Sequence, residues 1–62
     1  MNFILIKSTD NTDVLVNTER IAFVVAEKKG CIIDFGGEAY IRSGASFDDV
    51  VKAIEKGAED EN

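Results

Sequence analysis

Cys31, Asp34 and the carboxylates of Asp48, Asp49 and Glu55 are the side chains that would have to carry any chemistry in this chain, which has no histidine and a single cysteine. General acid–base work near neutral pH falls most often to histidine, and a nucleophilic Cys31 would need an activating base that "GCII" does not offer. Cys31 therefore reads as a small core residue. Asp34 stands between Ile33 and Phe35 in an apolar strand. Inward placement would raise its pKa, but strand alternation puts it on the solvent face. No catalytic residue is assigned, and the expectation is that the chain is not an enzyme.

Binding chemistry is also restricted. Gly36, Gly37 and Gly44 form neither a P-loop, which needs its lysine, nor a dinucleotide fingerprint, which needs a strand-to-helix turn with set glycine spacing. One cysteine without histidine excludes an intrachain disulfide and a structural zinc site. No cofactor or metal is expected. Twelve acidic residues face seven basic ones, and residues 43–62 hold six acidic against two basic, so four of the five net negative charges lie there. That is the reverse of a nucleic-acid footprint. Asp48, Asp49 and Glu55, held on one helix, are the candidate contacts to a protein with a basic surface. The alternative role of the same charge is to keep a small apolar domain soluble.

The element that would hold these carboxylates is "SFDDVVKAIEKG", residues 46–57. Ser46 stands at the N-cap position with Asp49 three residues on, and Asp48 and Asp49 occupy the first turn, where the helix dipole favours negative charge. Phe47, Val50, Val51 and Ile54 form an apolar stripe at i, i+3, i+4 and i+7, and Gly57 is suited to end the helix. Five short strands precede it: "NFILIKS", "VLVN", "IAFVVAE", "CIIDF" and "EAYIR". A polar "TDNTD" turn, a turn opened by Asn17, the "KKG" turn and a Gly36–Gly37 hairpin join them. The fold class is α+β, a curled antiparallel sheet of about five short strands in the order β-β-β-β-β-α, with one C-terminal amphipathic helix. Residues 1–57 form a single domain, and residues 58–62 an acidic disordered tail.

Strand faces say how that sheet is covered. Phe3 and Leu5 oppose Ile4 and Ile6, and Ile21, Phe23 and Val25 oppose Ala22, Val24 and Ala26, so the first and third strands are apolar on both faces and read as central and covered twice. One short helix covers one face. The other is buried by curling into a half-barrel or by docking on a second copy. The run "FILI" is too short for a signal core or a membrane span, which places the chain in the cytoplasm without membrane insertion.

Taken in order, "FILIK", "VLVNTERI" with its N-x-x-x-I segment from Asn17 to Ile21, "IIDFGGEAYIR" and "SFDDVVKAI" resemble the FlbD/SwrD-like small bacterial flagellar proteins, over about residues 3 to 54. The connection "SGAS" departs from that pattern by one extra residue and by lacking a glutamate before the serine, and the acidic balance departs too. The resemblance implies strands followed by one C-terminal helix, and a flagellum-related accessory role. Two functions follow as expectations. One is a non-catalytic protein-interaction module that self-associates. The other is a phage or mobile-element inhibitor that acts through its acidic surface or holds a small signalling ligand between subunits.

Overall fold

The computed structural model describes residues 3–37 and 39–59. It is α+β: five strands, β1 (Phe3–Lys7), β2 (Asp13–Asn17), β3 (Phe23–Glu27), β4 (Gly30–Asp34) and β5 (Tyr40–Ser43), precede one helix, α1 (Phe47–Glu59). The strands form two antiparallel sheets, β1-β2 and β3-β4-β5, rather than the single curled sheet expected. Among the described residues one isolated bridge, between Ser8 and Ser43, links the edges of the two sheets. At that point the Ser43 hydroxyl donates to the Lys7 carbonyl at 2.8 Å and the Thr9 N–H to the Arg42 carbonyl at 2.9 Å. Beyond it, residues 8–12 fold back on themselves, with the Ser8 N–H bonded to the Thr12 carbonyl and Asn11 at φ 70°. Turning there takes the chain away from β5 after one paired residue, which is why the ladder does not continue.

Each turn has a local cause. The Asn17 carboxamide accepts from the Glu19 N–H at 3.0 Å and caps a short 3-10 turn, Thr18–Arg20, that carries the chain to the second sheet. Gly36 and Gly37 take φ of 86° and 59°, the left-handed values that the tight β4-β5 hairpin requires. Glu38, expected to begin the fifth strand, lies outside the described residues.

The inner faces of both sheets and α1 enclose the core of Ile4, Ile6, Val16, Cys31, Ile33 and Val50. Val50 is 1% exposed, with Val51 and Ile54 half-buried beside it, while Phe47 sits at the rim of the stripe. The Asp49 N–H donates to the Ser46 hydroxyl at 3.1 Å, the cap the sequence predicts. Gly57 does not end the helix. It lies inside α1, where an added Cβ would stand 3.3 Å from Ile4 Cγ2, so the bare residue serves a close approach of the helix to β1. The backbone of residues 58 and 59 continues α1, and residues 60–62 of the expected tail lie outside the described residues.

β4 is the central strand of its sheet, and β3 is an edge. The expectation that the first and third strands are covered on both faces is therefore corrected. Within one chain Phe3, Leu5, Phe23 and Val25 remain exposed, and every β3 residue except the half-buried Val24 is open to solvent. The apolar double face reflects surface that one chain leaves uncovered.

Candidate interaction site

The residues first considered for chemistry are all engaged structurally or separated from one another. Cys31 is fully buried in the core, and its burial, with the nearby Glu27 charge adding to it, pushes the thiol above its ordinary range. Such a thiol is protonated and sealed from reagents. Asp34 is half-buried and accepts from the Gly36 N–H at 2.7 Å, which fixes the β4-β5 hairpin. It lies on the outer face of the three-stranded sheet, in the row that pairs it with Phe23 and Tyr40. Among the described residues no cluster of three or more His, Cys, Asp or Glu is placed to hold a metal ion.

Asp48, Asp49 and Glu55 are exposed along α1, as expected of candidate contacts, with Lys52 and Lys56 exposed on the same helix. α1 thus carries four negative and two positive charges, a net of minus two. Opposite charges at i and i+4, as in Asp48 and Lys52, neutralise one another along the helix surface. The acidic face is a mixed one.

A cleft of about 350 Å³ opens at the joint between the sheets, lined by Ser8, Asp10, Thr12 and Arg42 over the apolar Val14 and Ile41. Ser8, Asp10 and Thr12 are bonded to one another within the turn. The Asp10 carboxylate accepts from the Ser8 hydroxyl and from the Thr12 N–H, and these bonds, Ser8 first, hold it below the usual carboxylate range. Arg42 donates through Nε to Glu27 Oε1 at 3.0 Å, reaching diagonally past the bare Gly30. Gly30 itself has φ 146°, and a Cβ there would lie 2.0 Å from the Ser43 carbonyl oxygen, so no side chain can intervene.

The larger features are the outer sheet faces. On the two-stranded sheet the cross-strand pair Leu5 and Leu15 is 66% and 65% exposed, between Phe3 at one end and the Lys7–Asp13 ion pair at the other. On the three-stranded sheet Phe23 and Tyr40, 53% and 57% exposed, flank Asp34, and Val25 lies in the next row beside Ile32. Isolated exposed apolar residues are ordinary; here they lie on neighbouring strands of one face in each sheet. Sequence reading found the apolar faces in "FILI" and "IAFVVA" but placed them under cover. Ser43 it missed, because a serine between Arg42 and Gly44 carries no signal of the joint it makes.

Comparison with protein-family models, characterised proteins and solved structures gives no match. Among the described residues no helix is long and apolar enough to cross a membrane.

Proposed function

We propose that this chain is a non-catalytic protein-interaction module that self-associates and docks on another protein, in the accessory role implied by its resemblance to FlbD/SwrD-like flagellar proteins, with the cytoplasm as its compartment. The observation that carries this reading is the pair of exposed apolar sheet faces, Phe3–Leu5–Leu15 and Phe23–Val25–Tyr40, on a domain whose one cysteine is buried and whose Asp34 is bonded into a hairpin. Interface cores are enriched in aromatic residues and poor in charge; the Leu5–Leu15 face has that character, with the Lys7–Asp13 ion pair at its margin, while the second face carries Asp34 between its two aromatic residues, bonded to the Gly36 N–H.

Size exclusion with light scattering should give at least a dimer at about 100 µM, a concentration that populates even weak association. Capture of a defined protein by the parent should be lost in the folded Leu5→Asp, Leu15→Asp double variant. A monomer whose captures are indifferent to that variant would refute the reading. The second reading is a phage or mobile-element inhibitor that presents Asp48, Asp49 and Glu55 to a basic surface, and it rests on their exposure along one helix. Capture weakened by salt, and by Asp49→Gln with Glu55→Gln, would favour it. Lys52 and Lys56 on the same helix make it the lesser of the two.

A further inference from the structure

Edge strands are a hazard that folded proteins blunt with charge, proline, bulges or covering elements, because the edge presents unpaired backbone N–H and C=O groups. The edges here are not equally protected. β2 carries Asp13 at one end, in an ion pair with Lys7, and Asn17 at the other, engaged as a cap. The free side of β5 meets Ser8 and Thr9 at the joint. β3, "FVVAE", like β1 holds no proline and carries its one charge at its last residue, here Glu27 in the ion pair with Arg42, but four of its five residues are exposed against three of five in β1, although α1 packs against it.

We propose that β3 pairs antiparallel with β3 of a second copy, about a two-fold axis at Val25, and so joins the two three-stranded sheets into one of six strands. This rests on the self-association proposed above and assigns it a surface. Three properties select a second copy over another strand. In the register centred on Val25 each copy's Val25 faces the other's, Val24 faces Ala26 and Phe23 faces Glu27, so apolar meets apolar and no like charges stand opposite. The outer row then reads Ile32, Val25, Val25, Ile32 without interruption across the axis, using the pairing within each sheet. Finally, the chain is acidic overall but neutral here: in residues 21–34 Lys28 and Lys29 balance Glu27 and Asp34, so two net-negative copies approach where repulsion is least.

The contact is short. Five residues span about 17 Å of edge, which leaves the buried area well below the ~1,600 Å² of a standard interface and makes the dimer weak and concentration-dependent.

The test exploits the fact that a residue on the axis meets itself. Sedimentation of the whole chain from about 10 to about 500 µM should show a monomer–dimer equilibrium centred in the micromolar range. Val25→Lys alone and Val25→Glu alone, each checked by circular dichroism for native fold, should weaken it at least about tenfold, since each sets two like charges within about 5.5 Å. An equimolar mixture of the two variants should recover the dimer mass, as opposite charges then face one another. A parent that stays monomeric overturns both this proposal and the self-association on which it rests. A dimer that survives both Val25 variants and dissociates with Leu5→Lys overturns the β3 edge alone. Variants that dissociate but give no dimer when mixed overturn the two-fold register.

Discussion

Val50 is the residue on which the attachment of the helix depends. It is 1% exposed and packs with Ile4, Ile6 and Ile33 where α1 closes over both sheets. Val50→Ala removes two methyl groups, each contributing about 0.8 kcal/mol by transfer, and the cavity left behind brings the expected loss to about 2 to 3 kcal/mol. At roughly 0.05 to 0.15 kcal/mol per residue, a chain of 62 residues holds only about 3 to 9 kcal/mol in total. The variant should therefore lose about 10 to 20 °C of melting temperature, and Val50→Asp, which adds an unpaired buried charge, should not fold. Val51 is the internal control, because it is next in the stripe but half-buried. Val51→Ala should cost about 1 kcal/mol, in proportion to its smaller burial. Urea unfolding followed by circular dichroism measures both, with unchanged slopes showing that the unfolded states are comparable. Equal losses at the two positions, or a Val50→Ala loss under about 0.5 kcal/mol, would refute the packing of the helix as described.

Two further substitutions examine the joint and the core. Ser43→Ala should cost about 1 to 3 kcal/mol in the same assay, since the buried hydroxyl both donates to the Lys7 carbonyl and accepts from the Ala45 N–H, and a loss near zero would mean that the sheets are not tied there. Cys31 gives a pH dependence: its folded-state pKa is raised, so its contribution is constant below the ordinary thiol value of 9.0 and is lost as pH rises beyond it. Stability of the parent should fall more steeply than that of Cys31→Ala as pH rises past about 9, and parallel curves would exclude the effect.

What was legible in the sequence was local. The Ser46 cap, the Val50 stripe, the Gly36–Gly37 hairpin and the five strands each follow from contacts within a few residues. The failures concern neighbours distant in the chain. Alternation in "IAFVVAE" shows two apolar faces, but whether such a strand lies at the centre or the edge depends on which strand stands beside it, which periodicity does not encode. Gly57 failed for the same reason, because its closeness to Ile4 suits a helix passing over β1 as well as glycine suits a helix end. The candidate site divides likewise. Exposure of Asp48, Asp49 and Glu55 follows from helical spacing, whereas the exposed sheet faces emerge only once the strand order is known.

The same strand order connects stability with the proposed role. A domain this small buries a low fraction of its surface and, with one buried cysteine, cannot add a disulfide of its own. Pairing at β3 would supply hydrogen bonds and apolar contact in place of a staple, and because association acts only on the folded state it would make stability rise with protein concentration. Such a chain needs a counterweight, since an open strand that pairs with its own copy can also nucleate aggregation. The excess of acidic residues in 43–62 would supply one, because net charge opposes indiscriminate association while the stretch around Val25 is neutral. If β3 pairs as proposed, acidity and exposed apolar strands would be parts of one arrangement, in which repulsion over most of the surface leaves the neutral β3 edge the favoured place for two copies to meet.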